Sequence, residues 1–137
     1  MLFRSRSSLA NAVRADLFLS IHHDSGQPSH RGVQTYYDKR GNLNASLSRL
    51  LAVHLQEALA GLGKLADRGI GERPFHVLRN AQAPAVLVEL GFITHDSDVR
   101  HLSDPDYQLL EARALVQGIE AFFEHVGSMP TTLETGD

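Results

Sequence analysis

The sequence predicts an α/β fold: an open, mostly parallel sheet of about four strands, with helices on both faces. Three observations carry that reading. Compact apolar runs at 17–21 and 85–90 lack the alternation of half-exposed strands, which marks strands covered on both faces. Two long stretches, ending near Leu62 and Val126, space their apolar residues by three and four, as a helix with one buried face does. Strand and helix signals also alternate along the chain, the order expected of layered α/β architecture.

Each element has its own signals. Residues 5–15 read as a short helix with a narrow apolar stripe of Leu9, Ala12 and Val13. The apolar run at 16–21 is a buried strand, and the polar cluster His22-His23-Asp24-Ser25-Gly26 after it reads as a loop. Residues 32–37, rich in Val, Thr and Tyr, form a second strand. Asn42 or Asn44 caps a helix that buries Leu47, Leu50, Leu51, Leu55, Ala58, Leu59 and Leu62, and Gly61 and Gly63 stop it. Residues 64–73 read as a polar, glycine-containing loop. Two further buried strands are expected at 75–78 and 85–90, joined by a turn at 80–84. Asp104 followed by Pro105 is a cap with proline at the first helical position. The helix it starts should bury Leu109, Ala112, Leu115, Val116, Ile119, Phe122 and Phe123, and residues 127–137 form a polar tail expected to be mobile.

Composition narrows the function. A chain of 137 residues is one domain. The formal charge of −3, without lysine or arginine clustered among aromatics, argues against nucleic acid as a partner. Absence of cysteine excludes disulfides, thiolate metal sites and a cysteine nucleophile. The first residues carry positive charge with no apolar stretch behind them, so no signal peptide is expected. No apolar run is long enough to predict a transmembrane segment.

Two polar groups stand out because apolar strands deliver them: His22 at the end of 17–21, and Glu89 within 85–90. In an open α/β sheet, ligands gather beyond the carboxyl ends of strands, and parallel strands would bring both groups to one rim. An imidazole and a carboxylate there are parts for metal-assisted hydrolysis. The plainer reading of His22 is a hydrogen-bonded rim residue. For Glu89, flanked by Val88 and Leu90, it is a structural salt bridge to Arg68 or Arg79, because a buried carboxylate needs a partner or a role. His23 and Asp24 adjoin His22, but consecutive strand residues diverge in direction. His30, His54, His76, His95, His101 and His125 belong to no HExxH or HxH pattern. There is no GxSxG nucleophile elbow, and the Gly69–Gly71 segment lacks the lysine of a phosphate loop.

Taken together, several stretches resemble the zinc-dependent N-acetylmuramoyl-L-alanine amidases of bacterial cell walls. They are Arg6-x-x-Leu9-Ala10-Asn11, then residues 15–22 ending in Ser20-Ile21-His22, then residues 32–37, Asp67-Arg68-Gly69, residues 75–79 and residues 84–92 with Val88-Glu89-Leu90-Gly91-Phe92. The resemblance runs in order to about Val126, and its two most specific stretches are those holding His22 and Glu89. It implies that His22 is the last of three zinc ligands and Glu89 the catalytic glutamate. The reaction implied is hydrolysis of the amide between N-acetylmuramic acid and the L-alanine of the stem peptide, with peptidoglycan as substrate and zinc as cofactor. The periplasm or cell wall is then the expected location.

The comparison also sets expectations about what is missing. The family's first ligand, a histidine in a glycine-rich turn, and its second, a glutamate, have no counterparts here, so one of three expected ligands is present. Residues 1–126 are therefore expected to be an amidase catalytic domain lacking its N-terminal part, beginning at an internal methionine or belonging to a fragment or degraded paralogue. Apolar surface left open on the 17–21 strand predicts self-association through the sheet. The alternative function is an inactive paralogue acting as a cell-wall-binding or interaction module.

Overall fold

A computed structural model of the chain describes residues 6–42 and 44–129. The elements are α1 (Arg6–Ala12), β1 (Phe18–Asp24), β2 (Val33–Tyr37), α2 (Ala45–Ala60), β3 (Asp67–Glu72), β4 (Ala85–Phe92), α3 (Asp96–Leu102) and α4 (Pro105–Ser128). The four strands form one sheet in the order β1-β4-β2-β3. Pairings β1–β4 and β2–β3 are parallel, while β2 runs antiparallel to β4. The chain is thus the expected α/β fold around an open, mixed sheet.

β4 lies inside the sheet, paired on both edges, and all its residues except Glu89 are buried. That double covering is why its sequence shows no alternation. Val86, Val88 and Leu90 face one core, shared with Leu51, Leu55 and Leu59 of α2 and with Tyr107, Leu115 and Phe122 of α4. Ala85 and Leu87 face the opposite side, where Leu78 and Ala81 cover them and Phe18, Tyr36, Phe75 and Val77 pack around. By strand alternation Glu89 shares this second face. α1 is tied to the covering segment by Asn11, whose amide donates to the Asn80 carbonyl and whose oxygen accepts from the Gln82 amide.

Two buried polar residues on α2 lock the helix to the sheet. Gln56 accepts from the Thr35 hydroxyl and donates to the Val33 carbonyl and the Asp67 carboxylate, so it spans β2 and the start of β3. Ser48 accepts from the Ala85 amide at the start of β4. α4 approaches α2 through Gly118, where a Cβ would come within 2.9 Å of Leu55 Cδ2.

Several local expectations are corrected. The first strand continues through Asp24, so His22, His23 and Asp24 are strand residues rather than loop. The glycine-containing stretch at 64–73 holds strand β3, which forms by pairing with β2. Residues 75–78 are not a strand; the chain turns there, and its apolar side chains cap the second face. Helix α3 has no apolar periodicity to announce it and is started by His95, whose ring nitrogen accepts from the Asp98 amide. On α1, Ser7 and Ala10 are buried while Leu9, and Val13 just past the helix end, are 67 % exposed. On α4 the buried stripe is Tyr107, Glu111, Ala114, Leu115, Gly118 and Phe122, and Leu109, Val116 and Phe123 are exposed. On α1 small residues take the contact, whereas the buried stripe of α4 mixes the small Ala114 and Gly118 with the large Tyr107, Glu111, Leu115 and Phe122. α4 also runs through Ser128, two residues past its expected end, and residues 130–137 of the expected tail lie outside the described residues.

Candidate active site

His22 and Glu89 meet because of strand register. β1 and β4 are parallel, and His22 stands directly opposite Glu89 in their ladder. On the other edge of β4, Gln34 of β2 pairs with Glu89. Strand alternation then places Ser20, His22 and Asp24 of β1, Leu87 and Glu89 of β4, and Gln34 and Tyr36 of β2 on one side of the sheet.

His22 is half-buried, and its Nε2 lies 2.7 Å from the hydroxyl of Ser20, itself buried. That bond fixes the ring on the strand face and leaves Nδ1 without a hydrogen-bond partner among the described residues. On β2, the Tyr36 hydroxyl donates to Gln34 Oε1 at 2.7 Å. The Arg68 guanidinium reaches the same oxygen at 3.4 Å and lies 5.2 Å from the Phe92 ring centre.

Glu89 is the outlier of the site. Its Oε2 is buried and accepts no hydrogen bond, and among the described residues no lysine or arginine forms an ion pair with it. Neither Arg68 nor Arg79 is its partner, so the structural salt bridge weighed from the sequence is absent among the described residues. Burial pushes the carboxyl pKa up to about 7; the nearby Asp24 carboxylate adds to the rise and Arg73 opposes it. A carboxyl that changes protonation near neutral pH, with one oxygen uncommitted, can both take and return a proton in the working range.

Sequence reasoning weighed Asp24 beside His22 and set it aside, and it missed Ser20, Gln34 and Arg73. For Ser20 and Asp24 the signal was present: they sit two residues either side of His22, on the same strand face. Gln34 and Arg73 reach the site through β2 and β3 and leave no such trace.

Among the described residues, no three of histidine, cysteine, aspartate and glutamate converge to hold a metal ion. His22 supplies one imidazole and Glu89 a carboxylate, so the described residues do not complete the three-ligand site that catalytic zinc uses.

A family model for N-acetylmuramoyl-L-alanine amidase matches residues 2–121. The chain therefore belongs to the N-acetylmuramoyl-L-alanine amidase family. It is 39 % identical over 124 residues to the uncharacterised protein YqiI of Bacillus subtilis, covering 90 % of this chain and 59 % of that protein. It is 37 % identical over 123 residues to the N-acetylmuramoyl-L-alanine amidase LytC of the same organism, covering 88 % of this chain and 24 % of LytC. Among solved structures, the catalytic domain of the amidase CwlV from Bacillus (Paenibacillus) polymyxa var. colistinus superposes with a TM-score of 0.79 at 30 % identity. An N-acetylmuramoyl-L-alanine amidase from Clostridium difficile 630 gives 0.80 at 31 %. Each of these two superpositions covers 90 % of this chain and 66 % of the other. The chain thus spans less than two thirds of the length of these relatives.

Proposed function

We propose that this protein hydrolyses the amide between N-acetylmuramic acid and the L-alanine of the peptidoglycan stem peptide, with Glu89 as the residue that moves the proton. The observation that carries the proposal is Glu89 itself. Its carboxyl has one buried, unpartnered oxygen and a pKa near 7, and it stands in register with His22. An amide hydrolase needs a base to deprotonate water and an acid to protonate the departing amine, and one carboxyl near neutrality serves both steps. His22 would hold zinc as one protein ligand, through a ring fixed by Ser20, and no other described residues complete a three-ligand set with it. When bound, zinc supplies a water acidic enough to attack at neutral pH. No covalent intermediate is required, in keeping with the absence of a nucleophile elbow. The action belongs at the cell wall, where the substrate is. Among the described residues, no helix is long and apolar enough to cross a membrane.

The test is release of new L-alanine amino termini from purified peptidoglycan by the zinc-supplied protein, compared with Glu89→Gln. Amino termini released by the parent and at least roughly a hundredfold more slowly by the variant are expected, the scale of a lost general acid–base. Release of reducing sugar ends instead, or equal rates for the two proteins, would overturn the reading.

A further inference from the structure

At the rim where β2 and β3 end, the surface opens into a cleft of about 460 Å³ walled by Asp38, Lys39, Arg40, Glu72, Arg73 and Arg79. Four cationic side chains face two carboxylates; one oxygen of each carboxylate is engaged by the protein, while the buried Asp38 Oδ2 accepts no hydrogen bond. Asp38 is buried, and its Oδ1 accepts from the backbone amides of Arg40 at 2.9 Å and Gly41 at 3.1 Å. Glu72 accepts from the Tyr37 hydroxyl at 2.8 Å. Among the described residues none of the four cations makes an ion pair, and all four are exposed. Gly41 keeps the floor open: a Cβ there would fall 2.7 Å from Asp38 Oδ2 and 3.1 Å from Arg79 Cγ. The cleft therefore presents uncommitted positive charge to solvent, the setting for an anionic ligand.

Arg73 joins this cleft to the candidate active site. Its guanidinium lies 5.4 Å from the Tyr36 ring centre and 5.7 Å from that of Phe75, on the sheet face that carries Glu89, and its charge is felt by Glu89. Gln34 pairs with Glu89, and Asp38 follows four positions later, one residue past the end of β2. At the strand rise this separates cleft and carboxylate by about 13 Å, the span of roughly four extended residues.

We propose that this cleft is a carboxylate-binding subsite for the stem peptide, taking an acidic group three to four residues beyond the scissile amide. The proposal rests on the amidase reading for the identity of its ligand, while the cleft's charge stands independently of it. A stem peptide cut at its first amide carries free carboxylates further along, and a basic cleft one strand-length away fixes both its direction and its register.

The experiment is calorimetric titration of the protein with a synthetic stem tetrapeptide beginning at L-alanine, and with the same peptide after its carboxylates are amidated. Neither contains the muramyl amide, so binding is read without turnover, and failure of the amidase reading leaves the result intact. The acidic peptide should bind saturably. Amidation of the peptide, or the double change Arg40→Gln and Arg79→Gln, should weaken binding by roughly tenfold or more, as expected for lost charge-assisted bonds. The amidated peptide tests the unaltered protein, so misfolding of the variant cannot imitate the result. Equal affinity for the two peptides, no saturable binding at millimolar concentration, or inorganic phosphate competing as well as the peptide would each overturn the proposal.

Discussion

The Ser20 hydroxyl and His22 Nε2 share a hydrogen bond of 2.7 Å across two positions of one strand. The bond makes the serine an orienting group for the imidazole, and it decides which ring nitrogen faces the site. Ser20→Ala should free the ring to rotate and cost about 1 kcal/mol of stability. Nitrogen-15 shifts of the His22 ring would report a change of tautomer or orientation; unchanged shifts would show that the bond is not organising the ring.

Glu89→Gln should separate function from stability. It removes the proposed proton-moving group and, above neutral pH, removes a partly desolvated carboxylate whose Oε2 has no hydrogen-bond partner. Hydrolysis should fall at least roughly a hundredfold while the melting temperature at pH 8 stays level or rises. A drop in melting temperature would mean that Glu89 is a structural residue.

Glu111 gives the fold a pH dependence away from the candidate site. Burial raises its pKa from 4.5 to about 7, and its Oε2 has no hydrogen-bond partner. The folded chain therefore holds a proton that the unfolded chain releases between pH 4.5 and 7, so stability falls as pH rises through that window and levels off above it. Glu89 contributes with the same sign. Glu111→Gln should flatten the slope and add on the order of 2 kcal/mol at pH 8. Chemical denaturation at several pH values measures it, and a slope identical to that of the parent would contradict the assignment.

Asp98 is buried at 2 % exposure and accepts from two backbone amides at once, Gly32 at 2.7 Å and Phe92 at 3.0 Å. It clamps the entry to β2 against the exit of β4, the two strands that frame Glu89. Asp98→Ala strands two buried donors and should cost roughly 2–4 kcal/mol. Hydrogen exchange should quicken at Gly32 and Phe92 before it does elsewhere.

β1 is an edge strand, and its Ile21 is 50 % exposed. Open strand edges with apolar side chains recruit other chains. Self-association in sedimentation experiments is expected to weaken on Ile21→Lys. A monomer at all concentrations would remove the need for any covering partner there.

How much of this was legible in the sequence depends on what made each element. β4 was readable because burial on both faces leaves an apolar run broken only at Glu89, and α2 and α4 because three-and-four spacing marks a helix, although the buried stripe of α4 lies elsewhere than that spacing suggests. β3, with Ile70 as its one large apolar residue, is a strand because β2 pairs with it and Gln56 anchors Asp67, facts that belong to partners rather than to the segment. The run at 75–78 misled in the opposite direction: it is apolar because it caps a sheet face, which needs no extended backbone. At the candidate site, His22 and Glu89 were visible as polar residues set in apolar strands. Asp24 was obscured by ending β1 too early, since a strand read through residue 24 aligns it with Ser20 and His22. Arg73 could not be read at all, because its proximity to Glu89 follows from strand order.

That strand order also bears on how the protein acquires its shape. Among the described residues β1 pairs only with β4, and the chain between them carries β2, α2 and β3. A pairing between segments so far apart in sequence must wait for the intervening chain to collapse, the slowest kind of closure in folding. During synthesis β1 is made before β2, β3 and β4, and its pairing with β4 waits until β4 has left the ribosome. The imidazole of His22 is thus set opposite Glu89 only when β1 and β4 pair, and any variant that delays β4 lengthens the time an apolar strand stands unprotected.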